Sequence, residues 1–321
     1  MSNFIVSKYK LFQWLFLFPT SLLVCYFVTM RDENLRDYQN YLFMFNNLAE
    51  DVEPSFRLIN KLFFSYTDGF LYLLFVYAFL GFFLKIYFGS KFIHKQQGLY
   101  LYILYLISYL IVFFTLWDLI QIRYSVGVSF FILGAFYKNY YVKLIFFVLA
   151  VLFHYSMILP IGLYLILFFV EKNIYRLALI PLLLVVSSFA MKQSLYAEKY
   201  TKSAYNIESV PLLSGQYFFI FLMFILFCFL RRMVNPIFKK EVNIIFLIST
   251  SMLFLMVVMA AYFPAISDRL LSMTTFLFLL CLFFIKGKYY KFVLTVFIII
   301  FNLWYLKTYI LNPYGLLYNP Y

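Results

Sequence analysis

Residues 98–117 read GLYLYILYLISYLIVFFTLW, a run of 20 residues without a charged side chain. As an α-helix, about 20 apolar residues are long enough to cross the ~30 Å hydrocarbon core of a bilayer. The sequence therefore predicts an all-α, polytopic integral membrane protein of about eleven transmembrane helices (10–12), in a single transmembrane domain over residues 1–321. The predicted spans are 11–30, 69–85, 98–117, 120–137, 142–154, 157–170, 177–191, 215–231, 243–262, 270–285 and 290–309.

The composition excludes a soluble or a disordered protein. Hydrophobic residues make up 65% of the chain and charged residues 12%, whereas soluble domains typically contain about 25% charged residues. Disorder requires low hydrophobicity, which is incompatible with 45 Phe and 31 Tyr. A bilayer is therefore the expected environment.

The positions of lysine and arginine predict the orientation, because cytoplasmic loops carry an excess of both. Segment 142–170 is ambiguous, since His154 and Pro160 interrupt it near its middle. If it forms two helices and the N-terminus is cytoplasmic, 16 of the 26 basic residues lie inside, Lys85 among them, whereas a single span would leave 12 there. We therefore expect two helices, and we attribute the net charge of +13 to orientation and anionic lipid rather than to nucleic acid.

The predicted outer face has the two long loops, 31–68 and 192–214, and most of the acidic residues. Only Glu171 and Glu241 are expected on the cytoplasmic side, too few to hold the magnesium ion of a nucleotide-sugar. The two histidines lie far apart in the sequence and no Cys/His cluster occurs, so the sequence does not predict a zinc site. We expect chemistry at the outer face, without a metal or another cofactor.

The stretch 53–63 predicts an interfacial helix within the first outer loop. Pro54 suits the first position of a helix, and Arg57 and Lys61 share one face. The alternative is a plain surface anchor in which Glu53 and Arg57 form a pair one turn apart. The apolar residues at helical spacing are Phe56, Ile59, Leu62 and Phe63.

Two arginines at the outer ends of predicted spans are candidates for binding phosphate. Arg123 lies in the turn into 120–137, and Arg269 directly precedes 270–285. A charge in or near the bilayer usually lines a cavity and has a partner, and the planar fork of arginine matches phosphate oxygens. The alternatives are a local Asp118–Arg123 pair or an arginine that reaches the interface, and simple flanking of a span for Arg269.

His154 and a group of tyrosines are further candidates at the outer face. An imidazole changes its protonation near neutral pH, so His154 could accept the proton of a sugar hydroxyl; alternatively, it is a polar residue bonded to a backbone carbonyl. Tyrosines there could stack on sugar rings or belong to the aromatic belt of membrane proteins. They are Tyr38, Tyr41, Tyr155, Tyr262 and those of Asn312-Pro313-Tyr314 and Asn319-Pro320-Tyr321.

Several of these stretches together resemble the bacterial polysaccharide polymerases of the O-antigen (Wzy) and exopolysaccharide EpsG-like families. They are Arg36-Asp37-Tyr38-Gln39-Asn40-Tyr41, Glu53-Pro54-Ser55-Phe56, Ile122-Arg123-Tyr124-Ser125, Phe153-His154-Tyr155-Ser156 and Asp268-Arg269, with the Tyr-rich end. The resemblance covers nearly the whole chain. It departs from many O-antigen polymerases, in which two large late loops are rich in arginine, because 192–214 has none. Their Arg-x10-Gly spacing is matched by Arg123 and Gly134, but here it runs into a predicted span.

The resemblance implies a GT-C-like fold and an enzyme that joins oligosaccharide units linked to undecaprenyl diphosphate, at the periplasmic or outer face of the bacterial plasma membrane. A hydroxyl of one unit would attack the anomeric carbon of the growing chain, and undecaprenyl diphosphate would leave. His154 is the expected base, with Asp37 as its competitor. The expected diphosphate ligands are Arg123 and Arg269, with Arg57 and Arg36 secondary. A chain-length regulator and a flippase of the same pathway would be partners.

Other classes of membrane protein compete with this hypothesis. A lipid-linked oligosaccharide flippase or other transporter would need charges buried in its spans, and interiors such as 98–114 and 290–303 are poor in polar residues. Another lipid-phosphate-dependent glycosyltransferase would use an acid of the first outer loop, such as Asp32, Glu33 or Asp37. A membrane acyltransferase would need a histidine paired with an acid, and only one histidine is expected outside.

Overall fold

The computed structural model describes residues 17–35, 37–170, 214–260 and 264–311, and its regular structure is helical apart from isolated β-bridges. The helices are α1 (Leu17–Thr29), α2 (Tyr38–Asn46), α3 (Pro54–Phe63), α4 (Gly69–Gln97), α5 (Leu99–Ile120), α6 (Ile122–Phe136), α7 (Tyr140–Phe153), α8 (Ile158–Phe169), α9 (Gly215–Leu230), α10 (Lys239–Ala260), α11 (Pro264–Leu282) and α12 (Lys288–Tyr305). Part of α4 and the second half of α5 are π-helical. The predicted all-α class is confirmed for the described residues.

Five helices in the described part are long and apolar enough to cross a membrane: Gly69–Gln97, Leu99–Ile120, Gly215–Met233, Pro236–Val257 and Tyr289–Ile310. Shorter apolar helices occur at Leu17–Thr29, Ile122–Phe136, Tyr140–Phe153 and Tyr155–Phe169. The chain is thus an integral membrane protein. The number of about eleven spans stays a prediction, because the predicted span 177–191 and nearly all of the loop 192–214 lie outside the described residues.

The chain divides into two compact units, and the first comprises the described residues up to Ile158 and from Thr295 onward. Its central helix is α6, which packs against α4 and α7 and buries every residue except Arg123. A glycine allows α7 to approach closely, since a Cβ added at Gly134 would lie 2.6 Å from a ring carbon of Phe147. The Gly134 of the Arg-x10-Gly spacing therefore has a packing role.

The long loop 31–68 folds onto the first unit through α2 and α3. As the sequence predicts, α3 begins at Pro54, and it contacts α4 and α7. Phe56 and Ile59 are buried within the protein, whereas Arg57 is exposed. The side-chain amide of Asn60 donates to carbonyl oxygens in the last turns of α2, which joins the two short helices.

The chain is interrupted at His154, where the sequence predicts a break. Helix α7 ends at Phe153, and the backbone of His154 is extended, with φ −157° and ψ 118°. Tyr155–Met157 then forms one 3-10 turn before α8. Two helices rather than one continuous span therefore flank this histidine.

The second unit comprises the described residues of Leu159–Leu294. Helices α10 and α11 form its main packed pair, and every residue from 270 to 285 is buried. Hydroxyls within α11 bond to the main chain, as Thr275 Oγ1 does to the Leu271 carbonyl at 2.8 Å. The buried hydroxyl of Thr275 thus finds its partner within its own helix.

Candidate functional site

A buried carboxylate, that of Glu53, lies at the centre of the candidate site. Glu53 immediately precedes Pro54, the first residue of α3, and its backbone is extended at φ −58° and ψ 146°. Proline suits a first helical position because its missing N–H would have no partner there, so this pair of residues determines where α3 begins. Glu53 is only 4% exposed, and a buried charge requires partners within the protein.

Each oxygen of Glu53 binds one basic side chain. Oε1 lies 2.6 Å from Nδ1 of His154, and Oε2 accepts a hydrogen bond from Nη1 of Arg123. These partners follow Glu53 by 101 and 70 residues. The start of α3, the start of α6 and the break after α7 thus meet at one cluster, whose three side chains are between 6% and 16% exposed.

The two basic partners keep Glu53 ionised. Burial by itself raises the pKa of this carboxyl group, but the hydrogen bond with His154 and the charge of Arg123 lower it more, to about 2. An ionised carboxylate only accepts hydrogen bonds. The proton in the 2.6 Å contact therefore belongs to Nδ1 of His154, and Nε2 is the ring nitrogen that does not face Glu53.

Aromatic rings surround the ion pairs. The guanidinium carbon of Arg123 lies 5.3 Å from the ring centre of Tyr41 and 5.4 Å from that of Phe56. The ring of Tyr124 meets the His154 ring edge-on at 5.4 Å. Ring faces attract the cation, and an apolar surrounding strengthens the hydrogen bonds of the cluster.

A hydrogen bond next to the cluster joins α3 to α4. The hydroxyls of Ser55 and Tyr77 are 2.9 Å apart and join the first turn of α3 to α4. Tyr77 follows the first residue of α4, Gly69, by eight positions, or about 12 Å along the helix axis. This hydrogen bond fixes the start of α3, two residues after Glu53, against α4.

The structure does not bring every predicted charged residue into this cluster. Asp37 precedes α2 and has a positive φ of 69°. Arg57 is exposed on α3, and Glu53 binds His154 and Arg123 rather than Arg57. Arg269 belongs to the second unit, and Arg36 lies outside the described residues. The predicted roles of these residues in catalysis or diphosphate binding stay predictions.

The predicted tyrosines differ in exposure. Tyr38 and Tyr41 are buried on one face of α2, at 7% and 4% exposed. Tyr155, next to His154, is 42% exposed. Tyr262 and the C-terminal tyrosines lie outside the described residues. Of the tyrosines considered for stacking on sugar rings, Tyr155 is thus the accessible one in the described part.

A second charged cluster is fully buried within the first unit. Lys85 on α4 and Asp118 on α5 have no exposed side-chain surface, and Nζ lies 3.4 Å from Oδ1. Ser125 bonds to both, and the Tyr109 hydroxyl donates to Asp118. Asp118 therefore pairs with Lys85 and not with Arg123, which excludes the alternative of a local Asp118–Arg123 pair, and Lys85, expected at the cytoplasmic end of span 69–85, lies inside α4. The hydrogen bonds offset the cost of burying both charges.

Glu53 is the site residue that the sequence alone did not single out. The sequence related it only to Arg57, one turn away, because its true partners are 70 and 101 residues distant. Its position in the stretch Glu53-Pro54-Ser55-Phe56, which carries part of the family resemblance, was the available signal.

The three side chains of the cluster can orient a base and stabilise negative charge. Hydrogen bonding to Glu53 orients the His154 ring and stabilises its protonated form, as in other nucleophile-activating sites. The neighbouring Arg123 can stabilise negative charge that develops on a bound group. Within the described ranges, no group of three or more His, Cys, Asp or Glu side chains that could hold a metal ion occurs.

Comparison with known proteins gives one match. The sequence model of the EpsG family matches residues 14–321, which is nearly the whole chain. No curated protein and no solved structure matches the chain.

Proposed function

The chain belongs to the EpsG family, which is associated with exopolysaccharide biosynthesis, and from this we propose that it is a polysaccharide polymerase of the bacterial plasma membrane. The family match agrees with the resemblance seen in the sequence. The proposed substrate is an oligosaccharide unit linked to undecaprenyl diphosphate, at the outer face. The observation that carries the proposal is the buried Glu53–His154 pair with Arg123 beside it.

The proposed reaction is a glycosyl transfer. The hydroxyl oxygen of one unit forms a bond to the anomeric carbon of the growing chain, while the bond from that carbon to the diphosphate oxygen breaks. The hydroxyl proton passes to Nε2 of His154, and the bond electrons leave with undecaprenyl diphosphate. Glu53 acts through His154, because it holds Nδ1 and stabilises the imidazolium that forms.

Diphosphate departs with more negative charge than it had in the substrate, and arginine is suited to stabilise that charge. Arg123 is the proposed ligand nearest to His154, since both bind Glu53. Arg269, Arg57 and Arg36 remain proposed ligands from the sequence, and Asp37 remains the competing base. Tyr155 is the proposed sugar platform, because its ring is accessible beside His154.

The proposal is tested by His154→Ala in the native bacterium, with the surface glycan sized on a gel. We expect the ladder of long glycans to disappear while single repeat units stay attached, because units are still made and exported. His94→Ala is the matched control: it replaces the other histidine, on α4, and should leave the ladder intact. A full ladder in the His154 variant would contradict the assignment of His154 as the base.

The buried Lys85–Asp118 pair favours one alternative, a flippase or other transporter of lipid-linked oligosaccharide. Charges buried in a membrane bundle often mark a transport path, and this pair is fully enclosed. A deletion strain distinguishes the two functions. A polymerase deletion leaves single units on the surface, whereas a flippase deletion removes every repeat unit.

A further inference from the structure

Arg31 is a partly buried arginine that has no role in the proposed reaction as described above. It follows the end of α1, and its Nη1 donates a hydrogen bond to the carbonyl oxygen of Leu119, in the last turn of α5. The carbonyl groups of a last helical turn have no partner within the helix. One nitrogen of Arg31 therefore fixes the guanidinium at the junction between α5 and α6.

The other two nitrogens of Arg31 are unsatisfied. Nε and Nη2 are buried and have no hydrogen-bond partner among the described residues, and Arg31 takes part in no ion pair within 4 Å there. Burial lowers its pKa to about 10, against the opposing effects of Tyr41, Tyr38 and Asp37. Arg31 is thus cationic at neutral pH. Buried donors without an acceptor are rare in folded proteins and indicate a missing partner.

Arg31 lies beside the Glu53 cluster. Its guanidinium is 5.8 Å from the ring centre of Tyr38, and that of Arg123 is 5.3 Å from Tyr41. These rings are three residues apart on one face of α2, and such residues are neighbours on a helix surface. From the other side, Leu119, which accepts from Arg31, precedes Arg123 by four residues. Arg31 and Arg123 therefore both lie near one face of α2 and near the junction of α5 and α6.

The two arginines differ in whether a carboxylate neutralises their charge. Glu53 neutralises Arg123, whereas Arg31 has no carboxylate in contact in the described part. Gln121, which lies between Leu119 and Arg123 in the sequence, has a buried Oε1 without a hydrogen-bond partner. The free N–H groups of Arg31 suit an anion with several oxygens, and Oε1 of Gln121 suits a hydroxyl donor. A sugar attached to a diphosphate carries both groups.

We infer that Arg31 and Arg123 together bind the diphosphate of the lipid-linked glycan, with Gln121 accepting a hydroxyl of the adjoining sugar. This inference rests on the proposed function. It makes Arg31 the second arginine of the diphosphate site and places both arginines in one unit. Nε and Nη2 of Arg31 give two parallel N–H groups, the arrangement that grips phosphate oxygens.

The test is the binding of inorganic pyrophosphate to the full-length protein in lipid nanodiscs, measured as a rise in melting temperature across a titration. Arg31→Lys keeps a cation and one donor for the Leu119 carbonyl but loses the paired N–H groups. We expect at least a roughly tenfold loss of affinity, which corresponds to losing a charged hydrogen bond. Lys61→Gln, exposed on α3, is the matched control and should bind as the wild type does.

Two outcomes would overturn the inference: no response of the wild type to pyrophosphate, or an Arg31→Lys variant that binds within twofold of the wild type. The melting temperature of the ligand-free variant shows whether it is folded, and Arg31→Gln gives a second variant if it is not. Undecaprenyl diphosphate added to the discs distinguishes lipid-linked from free diphosphate. It should compete with pyrophosphate, and simultaneous binding of both would contradict the lipid assignment.

The experiments distinguish an error in the role of Arg31 from an error in the proposed polymerase function. If Arg31→Lys binds pyrophosphate normally while His154→Ala loses the glycan ladder, the polymerase stands and the role of Arg31 is wrong. If pyrophosphate binding depends on Arg31 but the deletion strain keeps its ladder, the anion site stands and the polymerase is wrong.

Discussion

At the scale of single residues, the candidate site depends on one carboxylate. Glu53 satisfies Arg123 and His154 at the same time, and each of the three would be a costly buried polar group without the others. The sequence supplied Arg123 and His154 as separate candidates, because an arginine near a span and a histidine at a helix break stand out locally. Their connection through Glu53 is a tertiary contact that no local spacing reveals.

Replacing Glu53 by Gln should lower the stability of the protein. The change removes the negative charge and leaves the largely buried Arg123 without its counterion, and breaking a buried ion pair costs about 3–5 kcal/mol. The measurement is the melting temperature of the purified protein in detergent. Glu50→Gln is the control, since Glu50 is an exposed acid three residues earlier. Equal melting temperatures for the two variants would contradict the paired state of Glu53.

The same pair predicts a pH dependence. The pKa of Glu53 is lowered in the folded protein from 4.5 to about 2, so its contribution to stability is fully present above pH 4.5 and is lost as the pH falls toward 2. We expect the difference in melting temperature between the wild type and Glu53→Gln to shrink as the pH falls below 4.5. A difference that stays constant down to pH 3 would be inconsistent with this shift.

At the scale of elements, the apolar runs predicted most helices of the described part. They placed α5 and α6, the start of α3 at Pro54 and the break at His154. They did not predict that α4 continues to Gln97 or that α5 continues to Ile120. Charged residues near 85 and 118 look like span ends, but their mutual pairing allows both helices to continue past them. The π-helical half of α5 also departs from the 3.6-residue period on which sequence patterns depend.

Gly81 should be intolerant of a side chain, because it sets the distance between α4 and the side chains of Asp118 and Ser125. A Cβ at this position would lie 2.5 Å from Asp118 Oδ1 and 2.5 Å from Ser125 Oγ. Gly81→Ala should therefore destabilise the protein by about 1–3 kcal/mol through overpacking, measured as a lower melting temperature. Gly162→Ala is the control, since nothing lies within 4 Å of its added Cβ. A Gly81→Ala variant as stable as the control would show that α4 is not packed in this way.

At the scale of the whole molecule, composition and resemblance predicted the class of protein, and the family match confirms the family. The candidate site could not be predicted at this level, because its residues come from positions 53, 123 and 154 and meet only when α3 folds back onto α4 and α7. Arg269 was grouped with Arg123 by pattern alone, whereas Arg31 is a proposed partner of Arg123 within the same unit.

The most direct test of the central claim is polymerisation by the purified protein. Lipid-linked repeat units extracted from the deletion strain would be incubated with wild-type protein or with His154→Gln at equal concentration, and the products sized on a gel. We expect a ladder of longer glycans with the wild type and at least a roughly hundredfold slower reaction with His154→Gln, since general-base catalysis contributes about 10²–10⁴-fold. Equal ladders from both proteins, or none from a folded wild type, would contradict it.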